Sequence, residues 1–256
     1  MFRPIFALFS LFLLLSCGET ITESTKDARI LMMGDSMLAA NRTSGRSVGV
    51  ALERQLGEPV IDRSTYAARM FYALPLTGAA GLSIPAQYLQ GDWDWVVLNG
   101  GGNDLIFGCA CGYCSTMVDR LISKDGTTGR IPDVIRRAQA GGAKVIFSGY
   151  LRNPGLFTPV RPCRVYGDEL DRRLARLDAR DPAMVFVPMS DLVPTGDPSL
   201  HQQDLMHPSP KGSAAIGAVR IRSCPGCKFS PTLTATSASC SRVVPYWCMW
   251  REAASA

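Results

Sequence analysis

The chain has 256 residues, 46% of them hydrophobic, which is enough to bury one main domain of roughly 200 residues with some chain left over. Its formal charge of +5 falls to +4 if Arg3 is removed with the leader, and the basic residues are scattered. That distribution excludes nucleic acid as a partner, because backbone phosphates need a concentrated basic face.

Residues 1–16 carry Arg3 ahead of Ile5-Phe6-Ala7-Leu8-Phe9 and Leu11-Phe12-Leu13-Leu14-Leu15. This positive start and short apolar run read as an export signal and not as a transmembrane helix. Leu14-Leu15-Ser16-Cys17-Gly18 resembles the bacterial lipobox, which implies a lipid on Cys17 as the first mature residue; a plain cleaved signal is the alternative. The expected location is the bacterial cell envelope, in the periplasm or at the cell surface, with the lipid as a membrane anchor. Residues 17–27 are polar and aperiodic, as a tether would be, and the folded domain is expected over residues 28–221.

In chain order, Arg29 to Met33 predict a first strand, and Ser47 to Leu56 a helix stopped by Gly57. Pro59 to Ile61 form a short strand, Ile84 to Leu89 a short helix, and Trp95 to Leu98 a buried strand leading into Asn99-Gly100-Gly101-Gly102-Asn103-Asp104. A helix follows from Pro132 through Ala140, then a strand from Lys144 to Ser148, a charged amphipathic helix from Asp168 to Asp178, and a strand from Met184 to Val187. A last helix is expected from Ser213 to Ile221. Strands alternating with helices at this spacing give an α/β fold with a mostly parallel five-stranded sheet covered on both faces. Residues 222–256 lose all period and form a cysteine-containing tail, irregular or disordered.

The chemistry starts at Leu31-Met32-Met33-Gly34-Asp35-Ser36, where a strand ends in a sharp turn and delivers a hydroxyl. A serine needs a base, and the base needs an orienting group. The chain has two histidines. His207, in Asp204-Leu205-Met206-His207, has a carboxylate three residues before it that can fix its tautomer, whereas His201 lacks one and is expected in a surface loop. Asn103, after flexible glycines at the end of a neighbouring strand, can donate to a developing oxyanion. Four thiols, Cys109, Cys111, Cys114 and Cys163, have the makings of a zinc site, but in an exported chain two disulfides are the expected outcome, with pairing undecided. Arg152, Arg161 and Arg164 either meet an anionic substrate or are solvated, and Trp93 and Trp95 are packing residues.

Taken in order, Gly34-Asp35-Ser36, Gly102-Asn103-Asp104 and Asp204-x-x-His207 resemble the SGNH/GDSL hydrolase superfamily. The resemblance covers about residues 28–221 and implies a flavodoxin-like three-layer α/β/α fold and hydrolysis of an O-acyl ester through an acyl-enzyme. It implies Ser36 as nucleophile, His207 as base and Asp204 as the group orienting it. The oxyanion hole would be the Ser36 N–H, the Asn103 side chain and the backbone N–H at Ala67, where the family usually has glycine. No metal and no cofactor enters this scheme. The expected partner is a small-molecule or glycan ester, and the expected state a monomer. Two other readings share the sequence: an O-acyltransferase of envelope glycans with the same triad, and a non-catalytic envelope binding protein on a degenerate hydrolase fold.

Overall fold

A computed structural model describes residues 27–72 and 80–218. The export signal, Cys17, the tether up to residue 26 and the tail from residue 222 lie outside the described residues.

Five strands, β1 (Ile30–Met33), β2 (Val60–Asp62), β3 (Trp95–Leu98), β4 (Lys144–Ser148) and β5 (Met184–Val187), form one sheet in the order β2-β1-β3-β4-β5. Every pairing is parallel, with Leu31 opposite Ile61 and Val96, and Val97 opposite Ile146. The unbroken apolar runs follow from burial on both faces. Side chains alternate across a strand, so Leu31 and Met33 join one core while Ile30 and Met32 join the other.

Seven helices are described: α1 (Ser36–Ala39), α2 (Val48–Leu56), α3 (Gly102–Cys109), α4 (Ser115–Leu121), α5 (Arg130–Ala140), α6 (Arg164–Asp178) and α7 (Pro210–Ala218). α3 to α6 cover the face that buries Leu31, Leu98 and Phe147, through Leu105, Leu121, Ile131, Ile135 and Leu174. α1, α2 and α7 cover the other face, through Leu38, Leu52 and Ile216 against Met32 and Val97. The result is the three-layer α/β/α arrangement that the alternation of elements predicts. Among the described residues no helix is long and apolar enough to cross a membrane.

Several boundaries differ from expectation. Residues 84–87 form a single 3-10 turn. α6 begins at Arg164, four residues ahead of the charged amphipathic stretch, and α7 begins at Pro210, where proline suits a first helical turn. α3 and α4 were not expected at all: α3 starts and is interrupted by glycine, at 102 and 108, and each helix is only about two turns long. Disulfides Cys109–Cys114 and Cys111–Cys163 staple these two helices to each other and to the start of α6. All four thiols are therefore committed to disulfides, which removes the zinc reading. Trp93 packs in the core, and Trp95 packs partly buried with the Lys144 ammonium over its ring.

Candidate active site

Strand order changes direction between β1 and β3, so a crevice opens at their carboxyl ends. β1 delivers Ser36 to that crevice, and β3 delivers Asn103 through Gly100-Gly101-Gly102. Asp35, only 1% exposed, caps α1 by accepting the Met37 N–H at 2.9 Å. Ser36 is thus the first helical residue, and its own N–H has no acceptor within the helix. The second Asp35 oxygen accepts the Tyr150 hydroxyl at 2.6 Å, and the Tyr150 oxygen accepts the Gly102 N–H at 2.8 Å. Burial pushes the Asp35 carboxyl up to about 6, against the pull of its bonds to Tyr150 and Met37. Burial, with the Asp35 charge beside it, also raises the Tyr150 hydroxyl.

Two glycines permit these approaches. A Cβ on Gly102 would stand 2.7 Å from the Tyr150 ring, and one on Gly34 would stand 3.1 Å from the Asn99 backbone oxygen. Gly34 is also clamped by the buried Gln87, which accepts its N–H at 2.7 Å and donates to its carbonyl at 3.0 Å.

Asn103 donates one amide hydrogen to the Ala68 carbonyl at 3.0 Å, which leaves the other free for a ligand. Its neighbour Asp104 is fully buried and accepts the N–H groups of Met70 and Phe71 at 2.9 and 3.0 Å. Burial raises its pKa, opposed by those two bonds and by Arg69. The first turn of α3 therefore straps down the segment that follows Ala67. Ala67 has φ 60°, the left-handed conformation that favours glycine, and its N–H donates no hydrogen bond among the described residues.

Asp204 and His207 meet as their spacing predicts, with Asp204 Oδ2 2.5 Å from His207 Nδ1. The other Asp204 oxygen accepts the N–H groups of Met206 and His207 at 3.0 and 2.9 Å. The turn is a loop, not a helix: Leu205 takes φ 54° to bring the acid back over the imidazole. Burial pushes the Asp204 carboxyl up, but the hydrogen bonds from the His207 ring and the two backbone groups outweigh it and hold the pKa below its ordinary value. Tyr66 packs on the His207 ring, centroid to centroid 5.3 Å, and Asn41 donates to the Pro208 carbonyl at 2.9 Å. The expectation for His201 is overturned. It is 6% exposed, its ring nitrogens have no partner among the described residues, and burial lowers its pKa. The bridge it forms with Pro208 carries it under the His207 loop.

Ser36, Asn103 and His207 line one cleft of about 190 Å³, walled by Leu105, Leu170, Leu205 and Met206. Ala67 does not line it, although Tyr66 beside it touches His207. Arg152 also lines the cleft but is bound to Asp171 and Asp168, at 2.5 and 2.8 Å; burial has pushed Asp171 up to about 6. Arg161 and Arg164 stand exposed at its rim. Tyr150 and Gln87 were missed by sequence reasoning. Each acts across 48 residues or more of chain, and nothing local to either marks it.

The family model described as GDSL-like Lipase/Acylhydrolase matches residues 32–215. No curated protein matches the chain in sequence. Among solved structures, the fold is similar to that of a Slackia heliotrinireducens protein assigned to the SGNH hydrolases. That pair shares 21% identity at TM-score 0.51, over 75% of this chain and 96% of the other. It is similar also to TesA, with 20% identity, TM-score 0.53 and the same shares of the two chains, 75% and 96%.

Proposed function

The chain belongs to the GDSL-like lipase/acylhydrolase family, and from that premise we propose that it is an exported serine esterase in which Ser36, His207 and Asp204 form the catalytic triad. The observation that carries this reading is the Asp204–His207 pair, 2.5 Å apart, opening on the same cleft as Ser36 and Asn103. Asp204 fixes the imidazole with Nδ1 as donor, so Nε2 is left to act as base toward Ser36.

Ser36 Oγ attacks the ester carbonyl as His207 Nε2 takes its proton, and the carbonyl electron pair moves onto oxygen. The Ser36 N–H and the free amide hydrogen of Asn103, both on the cleft, supply donors for that oxyanion. The tetrahedral intermediate collapses, the alcohol leaves with the proton from His207, and the acyl group stays on Ser36. Water, deprotonated by His207, then releases the acid and restores the serine. The scheme asks for no cofactor or metal. The apolar wall of Leu105, Leu170, Leu205 and Met206 suits the acyl part, and a glycan or small-molecule alcohol extends outward.

Two disulfides beside the cleft support export to an oxidising compartment, and the lipobox-like Leu14-Leu15-Ser16-Cys17-Gly18 supports an envelope location with Cys17 as lipid anchor. The test is turnover of short p-nitrophenyl esters by the purified chain. Hydrolysis should fall by at least about 10³-fold in Ser36→Ala. Turnover persisting in that variant would refute the triad.

A further inference from the structure

A second cleft, of about 480 Å³, is lined by Arg69, Phe71, Tyr72, Phe107, Arg120 and Arg130. Its place follows from residues already described. Arg69 lies two residues beyond Ala67, and Phe107 lies four residues beyond Asn103 on α3, so on the same helix face one turn further along. The second cleft therefore shares α3 with the Ser36 crevice, which Asn103, Leu105 and Ile106 of the same helix line.

Three guanidinium groups line this cleft, and among the described residues only Arg69 has a carboxylate partner. Asp104 forms an ion pair with Arg69 Nε at 3.6 Å, but it also accepts two backbone N–H groups. That buried Nε has no hydrogen-bond partner among the described residues. Arg130 donates to the Met70 carbonyl at 3.2 Å, and Arg120 meets no carboxylate among the described residues. Aromatic rings hold these groups instead: Arg120 lies 4.4 Å over Phe71, and Arg69 5.1 Å over Tyr72. A ring face orients a guanidinium without cancelling its charge, so the donor forks are held ready and remain positive. Arginines elsewhere contrast with this, as Arg173 is matched by both Glu169 and Asp119. Phe107, 62% exposed, adds an open apolar ring at the edge of the cluster.

We propose that this cleft binds an anionic sugar residue, its carboxylate or phosphate held between Arg69, Arg120 and Arg130 and its ring laid against Phe107. That the residue belongs to the ester substrate rests on the Ser36 reading; the anion site itself does not. The test uses the full-length Ser36→Ala chain, which consumes no ligand, and calorimetry with trigalacturonate, glucose 6-phosphate and neutral maltotriose. At least one anionic probe should bind, more weakly at high salt, and which one binds identifies carboxylate or phosphate as the group recognised. Arg120→Gln should weaken it about tenfold, and Arg120→Lys, which keeps the charge but loses the fork, by less. The proposal is overturned if neither anion binds, if maltotriose binds as tightly, or if both Arg120 variants bind like the parent. Because binding is read without turnover, failure of the esterase reading and failure of this one are separately visible.

Discussion

Ala67 is one of five non-glycine residues at positive φ among the described residues, with Asn41, Ala110, Cys111 and Leu205. At φ 60° an alanine pays a penalty of about 1–2 kcal/mol that glycine escapes. Glycine in turn loosens the unfolded chain by about 0.4–1 kcal/mol. Ala67→Gly should therefore raise stability by about 0.5–1 kcal/mol, read as a higher urea midpoint at unchanged slope. A lower midpoint would mean that the alanine methyl contributes packing not visible in its exposed position. The family resemblance already marked this position, since the family usually has glycine there. What it could not mark was Tyr150, whose hydroxyl ties Asp35 to Gly102 across chain separations of 115 and 48 residues. Asp35 adjoins Ser36 in sequence, and its bonds to Met37 and Tyr150 make it a brace for the turn.

At the scale of elements, the strands were legible because each is buried on both faces and reads as a continuous apolar run. α2 was legible through its Ser47 cap, its apolar spacing and Gly57 at φ 67°. α3 and α4 were not, because each is short: α3 buries only Asp104 and Leu105, and the apolar set of α4, Met117, Val118 and Leu121, spans little more than one turn. The 3-10 turn Ile84–Gln87 matters for one side chain: Gln87 bonds both backbone groups of Gly34, immediately ahead of the Asp35-Ser36 turn. Gln87→Ala strands a buried N–H and a buried carbonyl and should cost about 2–4 kcal/mol of stability. If the clamp aims Ser36, kcat should fall more than KM rises. A variant that loses stability but keeps kcat would assign Gln87 to folding alone.

At the scale of the whole molecule, the strand order does what no local signal can: it puts the ends of β1 and β3 side by side, and with them Ser36 and Asn103. The His207 loop is fastened to this edge through Asn41 and rests over His201. Burial of His201 lowers its pKa below the unfolded value of roughly 6.5, so the folded state resists a proton that the unfolded chain accepts. The stability that follows is complete above that unfolded value and is lost as pH falls through the lower folded one. Asp35 and Asp171, both pushed up to about 6, act in the opposite sense and favour the folded state as pH drops from about 6 to 4. A single substitution separates the effects: His201→Leu should gain in Tm on the parent at pH 5 relative to pH 8. An equal difference at both pH values would remove His201 as an acid-sensitive element. The central claim, that this topology makes Ser36 a nucleophile, is tested most directly by mass spectrometry of the intact protein after reaction with a fluorophosphonate. The account predicts one adduct, localised to Ser36 and lost in both Ser36→Ala and His207→Ala. No adduct on a folded chain, or an adduct on another residue, would contradict it.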